Sequence, residues 1–106
     1  MVICFDVDGT LCTQEKDYSK AIPQYEAIRT VNSAYDAGHT IKIFTARGAC
    51  SGVDYTNLTA QQLDSWGVKF HELIMGKKPH FDILVDDKAV NVADWLKIHS
   101  ILVHHD

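Results

Sequence analysis

The sequence predicts an α/β fold: a doubly wound, Rossmann-like three-layer sandwich with a central parallel sheet. Two observations carry this reading. Short apolar runs alternate with stretches of helical spacing, the order of βα units that builds a parallel sheet covered on both faces. Three of those runs stop at polar residues, Asp6, Thr45 and Asp86-Asp87. Such sheets carry their chemistry just beyond the carboxyl ends of the strands, so these residues are expected to meet at one edge.

The elements follow in chain order. Val2-Ile3-Cys4-Phe5 is a short apolar run that ends at Asp6 and reads as a buried strand. Ile22 to Ala37 reads as a helix, because Ile22, Tyr25, Ala27-Ile28, Val31 and Ala34-Tyr35 recur at spacings of three and four. Pro23 suits its first turn and Gly38 stops it. Thr40 to Phe44 is β-rich and reads as a second strand ending at Thr45. Tyr55 to Trp66 is helical on Leu58, Gln62, Leu63 and Trp66, and stops at Gly67. His71 to Met75 is a short strand, and Asp82-Ile83-Leu84-Val85 is a clearer one. Ala89 to Lys97 is a last helix carrying Val92, Trp95 and Leu96, and Ile98 to Val103 a final edge strand.

The 106 residues fit one domain, 1–106. With 46% hydrophobic and 23% charged residues, the composition is that of a globular chain and excludes disorder. No apolar run approaches the roughly 20 residues of a membrane span, and an N-terminus without a basic region is not expected to be a signal peptide. Ten basic and 14 acidic residues give a net charge of -4, and no basic run points to a nucleic-acid partner. Cys4, Cys12 and Cys50 form no CxxC pair and are expected to be reduced packing residues of a cytoplasmic protein.

The chemistry begins at Phe5-Asp6-Val7-Asp8-Gly9-Thr10. Asp8-Gly9 alone is an ordinary turn pair. A turn does not explain Asp6, an acid closing a buried strand, and Asp86-Asp87 poses the same problem. Adjacent carboxylates repel unless a positive charge lies between them. Two such clusters at one sheet edge point to a divalent cation, and oxygen donors of this kind suit Mg²⁺. Thr45 either satisfies local backbone groups or donates its hydroxyl to a phosphate oxygen. Arg47, beside Ala46, either grips an anion with its planar fork or makes a surface ion pair. Of Lys77 and Lys78, one is expected to reach the acidic cluster and hold a phosphate; Pro79 favours Lys78, and Lys77 stays open.

Asp6-Val7-Asp8-Gly9-Thr10, Thr45, a lysine and Asp86-Asp87, in that order and each after a suitable strand, resemble the haloacid dehalogenase-like (HAD) phosphohydrolase superfamily. The motifs span residues 6 to 87. The wider wording, with Phe44-Thr45-Ala46-Arg47-Gly48, Trp66-Gly67-Val68, Gly76-Lys77-Lys78-Pro79 and Val85-Asp86-Asp87-Lys88-Ala89, is similar to small phosphatases of capsular polysaccharide biosynthesis. The resemblance implies a Mg²⁺-dependent phosphomonoesterase. Asp6 would be the nucleophile that becomes an aspartyl-phosphate, and Asp8 the acid and then the base. Thr45 and a lysine would bind the phosphoryl group. Asp86, assisted by Asp87, would hold Mg²⁺ with Asp6 and the carbonyl of Asp8.

Neither of the family's insertion points has room for a cap, so the edge is expected to be open unless a second copy of the chain covers it. An open edge admits a large phosphorylated substrate or a polymer end. A sugar phosphate or polysaccharide precursor follows from the subfamily likeness; the alternative is a nucleotide or polynucleotide end. A phospho-acceptor signalling module uses similar residues, but there the acidic pair ends the first strand, whereas here it comes last. Gly48 to Thr56 reads equally as a mobile rim of the site or as a plain connector. Tyr18 and Lys20 read as a solvated loop with a lesser claim to touch substrate, and Trp66 and Trp95 as core.

Overall fold

The structure, a computed structural model, describes residues 1–76 and 80–86. The expected helix over 89–97 and strand over 98–103 lie outside them. Along the described chain run β1 (Val2–Asp6), a 3₁₀ turn (Tyr18–Lys20), α1 (Tyr25–Asp36), β2 (Thr40–Thr45), α2 (Thr56–Ser65), β3 (Glu72–Met75) and β4 (Ile83–Val85). The strands form one sheet in the order β3-β2-β1-β4, and every pairing is parallel.

The register explains the core. Ile3 lies opposite Ile41 and Ile83, and Phe5 opposite Ile43 and Val85, so in a pleated sheet these side chains share one face. That face is buried against Ala27, Ile28, Val31 and Ala34 of α1 and Leu63 of α2, with Trp66 and Val68 closing it. Right-handed crossovers put both helices on this side, because each joins strands that step in the same direction across the sheet. Phe5 is wholly buried, and a burial of that size contributes about 3 kcal/mol.

After β3 the chain steps back past β2 and β1 to place β4 on the far side of β1. The strand order therefore reverses between β1 and β4. Connections diverge at such a point and leave a crevice beyond the carboxyl ends of the strands. Asp6 ends β1 and Asp86 follows β4, on either side of this crevice.

Helix α1 starts at Tyr25 rather than Ile22. The residues ahead of it are engaged elsewhere: Thr13 N–H donates to the Ile22 carbonyl at 2.9 Å, and Gln24 N–H to the Leu11 carbonyl at 2.8 Å. Pro23 forms a bridge with Cys12 instead of opening the helix. Ile22 and Tyr25 are accordingly 61% and 58% exposed, not part of the apolar stripe. Cys4 and Cys12 are buried as expected, but Cys50 is exposed, because its loop leaves the core. Trp66 is in the core; Trp95 lies outside the described residues.

Candidate active site

Asp8 is held by the turn that follows β1. The Val7 carbonyl accepts from the N–H groups of Thr10, Leu11 and Cys12 at 3.2, 2.9 and 3.3 Å, and Gly9 N–H donates back to Cys12 at 2.9 Å. Gly9 sits at φ 84°, a conformation that glycine adopts without steric cost. The turn leaves Asp8 lining the same cleft as Asp6.

A cleft of about 350 Å³ opens at this edge. Asp6, Asp8 and Asp86 line it, with Thr45, Ala46 and Arg47 from the end of β2. Gln14, Glu15, Tyr18 and Phe44 complete the wall. Residues far apart in sequence thus converge where the strand ends predict. Lys77, Lys78 and Asp87 lie outside the described residues.

Thr45 is buried, and its hydroxyl oxygen accepts from Arg47 N–H at 3.1 Å. Both readings of this residue are therefore compatible: the oxygen satisfies a backbone donor, while the hydroxyl proton is still available for an acceptor in the cleft.

Arg47 departs furthest from expectation. Its guanidinium is not spread on the surface but buried, and it grips Asp8 with two nitrogens: Nη2 donates to Oδ1 at 2.8 Å and Nε to Oδ2 at 3.0 Å. The ion pair is an internal one. Nη1 donates to Gln62 Oε1 at 2.6 Å and Thr59 Oγ1 at 3.2 Å, and the Tyr18 ring covers the cation with its centroid 4.6 Å from Cζ. Gln62 Nε2 in turn donates to the Tyr18 carbonyl at 2.7 Å. Burial by itself lowers the pKa of Arg47; the hydrogen bonds and charge of Asp8 outweigh it and leave the group above its ordinary value. Cys12 lies below, its thiol 3.6 Å from Asp8 Oδ1. Burial first, then the charge of Asp8, pushes that thiol up to about 12.

Thr59 and Gln62, which partner Arg47, and Gln14 and Glu15, which line the cleft, are the site residues that sequence reading missed, while Tyr18 had only a lesser claim to touch substrate. Tyr18 reads as loop and Gln62 as one more helical position, and neither spacing nor residue type reveals that both meet Arg47. The only signal is that Gln62 falls on the helical stripe of Leu58, Leu63 and Trp66, where a polar residue needs a buried partner.

Among the described residues, no group of three His, Cys, Asp or Glu side chains converges as a metal site. Asp8, the third carboxylate at the mouth of the crevice, is taken up by Arg47. Asp6 and Asp86 also line the cleft, from the ends of β1 and β4. That donor set fits Mg²⁺, which binds through one or two carboxylates and takes its other oxygens from water and phosphate. No helix among the described residues is long and apolar enough to cross a membrane.

No family model matches the sequence, and no curated protein does. Several solved structures match the chain, two of them as follows. A structural-genomics protein from Vibrio cholerae superposes with a TM-score of 0.73 and 24% identity, over 97% of this chain and 96% of that one. The D,D-heptose 1.7-bisphosphate phosphatase of B. bronchiseptica, complexed with magnesium and phosphate, superposes with a TM-score of 0.52 and 21% identity. It matches 84% of this chain, which spans about half of that enzyme, 54%. The architecture is a small Rossmann-like α/β fold with a central parallel sheet, without a cap among the described residues.

Proposed function

We propose that this protein is a Mg²⁺-dependent phosphomonoester hydrolase working through an aspartyl-phosphate. The observation that carries the reading is the convergence of Asp6, Asp8, Thr45 and Asp86 on one cleft at the strand-order reversal. A fold shared with a D,D-heptose bisphosphate phosphatase complexed with magnesium and phosphate supports both the ion and a sugar-phosphate substrate.

In this reading the Asp6 carboxylate attacks phosphorus in line. A bond forms from its oxygen as the bond to the leaving oxygen breaks, which splits one difficult transfer into two easier ones. Asp8 gives the leaving oxygen its proton. In the second half it takes a proton from water, which attacks the aspartyl-phosphate and frees Asp6 and inorganic phosphate. Among the described residues, Asp8 Oδ2 accepts from Arg47 Nε alone and so keeps a lone pair for that proton. Thr45 donates to a phosphoryl oxygen, and Lys78 or Lys77 adds a cation. Asp6, the Asp8 carbonyl and Asp86, with Asp87 beside it, would hold Mg²⁺. The ion supplies charge that lets an anionic carboxylate approach an anionic ester. In a cytoplasmic setting the open edge is left to substrate or to a second copy of the chain.

The test is phosphate release from p-nitrophenyl phosphate, sugar phosphates, nucleotides and phosphorylated oligonucleotides, with Mg²⁺ or with EDTA. The expected outcome is Mg²⁺-dependent release that Asp6→Asn abolishes while its far-UV circular dichroism stays that of the wild type. Near-normal turnover in Asp6→Asn refutes the nucleophile, and full turnover in EDTA refutes the ion.

A further inference from the structure

Beside the carboxylate cleft lies a second hollow of about 240 Å³. The two share Tyr18 and Ala46 as a common wall. We infer that this hollow receives the leaving group of the ester, and that the leaving group is a single hydroxylated ring or chain bearing a second anionic group. The inference rests on the hydrolase reading and adds the substrate's other half to it.

Contiguity is the first argument. Ala46 directly follows Thr45 and is exposed. An ester whose phosphoryl group lies between Asp6 and Thr45 has the hollow as an adjoining space, across the shared wall of Tyr18 and Ala46.

Charge is the second. The cleft is lined by Asp6, Asp8, Asp86 and Glu15. Among the described residues the hollow has no carboxylate in its wall and one cation, Lys16, in a chain whose net charge is -4. Beyond the phosphoryl group that the ion and a lysine would hold in the cleft, a further anionic substituent meets carboxylates there and a cation in the hollow. A lysine serves such a group as a point charge without demanding a planar partner, so carboxylate and phosphate are both admitted.

The walls are the third. Tyr18 packs against the Arg47 guanidinium and against Tyr55, whose ring centroid lies 4.9 Å away in a T-shaped pair. Such rings present an apolar body and a hydroxyl tip, which suits a carbohydrate with its C–H and O–H groups. The loop carrying Ser51 and Tyr55 is tightly built. Gly52 N–H donates to the Gly48 carbonyl at 2.9 Å. Gly48 has φ +82°, and a Cβ there would fall 2.0 Å from the Val53 carbonyl oxygen. The hollow is thus formed before any substrate arrives. At about 240 Å³ it falls below the ~300–1,000 Å³ of sites for drug-sized ligands, which favours one ring over a nucleoside.

The experiment compares kcat/KM, with Mg²⁺, for four esters: p-nitrophenyl phosphate, glucose 6-phosphate, 6-phosphogluconate and AMP. The proteins are the wild type, Lys16→Gln and Tyr55→Leu, each checked for its fold by thermal melting. An exposed lysine acting on one anionic group is expected to favour 6-phosphogluconate over glucose 6-phosphate by about fivefold. In Lys16→Gln that ratio should fall to about one, chiefly through KM. Tyr55→Leu should lower both sugar esters relative to p-nitrophenyl phosphate. A wild-type ratio near one, a ratio that survives Lys16→Gln, or a preference for AMP overturns the inference while leaving the hydrolase reading standing. No turnover of any ester, p-nitrophenyl phosphate included, fails the hydrolase reading, and the leaving-group assignment goes with it.

Discussion

Replacing Arg47 by methionine keeps most of the side-chain length but removes every donor that the guanidinium directs at its neighbours. The Arg47 side chain is wholly buried and that of Asp8 only 15% exposed, so water cannot readily take the missing place. The Asp8 carboxylate loses its two-pronged partner, and Gln62 Oε1 and Thr59 Oγ1 lose a donor each. Removing one partner of a buried ion pair typically costs about 3–5 kcal/mol, most of it for the charge left behind. The lost hydrogen bonds are part of that sum. Against a domain stability of about 5–15 kcal/mol this is a large fraction, and it lowers the melting temperature on the order of 20 °C. Replacing both partners, as in Asp8→Leu with Arg47→Met, removes the uncompensated charge and should recover much of the loss. Urea unfolding of the two single variants and the double, followed by tryptophan fluorescence and far-UV circular dichroism, closes the cycle. A loss below about 1 kcal/mol for Arg47→Met, or a double variant less stable than the sum of the singles, refutes the buried pair as the organiser of this edge.

Asp8→Asn should slow hydrolysis of alkyl phosphates by about 10²-fold or more. It should slow p-nitrophenyl phosphate far less, because that leaving group needs little protonation; equal losses in steady-state rates count against the acid role. Gly48→Ala should lower stability by more than about 2 kcal/mol, because the new methyl meets the Val53 carbonyl; Gly38→Ala, at φ +96° with open space around it, should cost only about 1 kcal/mol. Thermal melting of the pair tests that order. Cys12 ionises at about 12 in the folded protein and near 9.0 when unfolded. Its contribution is therefore complete below pH 9 and is lost as pH rises towards 12, by up to about 4 kcal/mol. Chemical denaturation across that range should show a shallower alkaline fall for Cys12→Ala than for the wild type.

What the sequence determined alone is the alternation of strands and helices and the residues at the strand ends. An apolar run cut off by an acid shows where a buried strand leaves the core. The apolar run of β1 and the period of 3.6 in α1 are local properties that need no partner to be read. The sheet-edge rule then brings Asp6, Thr45 and Asp86 together without any knowledge of strand order. The start of α1 was not legible, because the N–H groups of Thr13 and Gln24 are spent on a return of the chain over residues 11–24, a pairing with no mark in helical spacing. The partner of Arg47 was not legible either. Thr45-Ala46-Arg47 carries the same wording whether the guanidinium faces phosphate, solvent or Asp8. The choice fell to contacts 39, 15 and 12 residues away, to Asp8, Gln62 and Thr59, and to the ring of Tyr18. A strand end is fixed by its own residues, whereas the direction of a long charged side chain is fixed by whichever groups the fold leaves dry around it. Only the tertiary structure decides which those are.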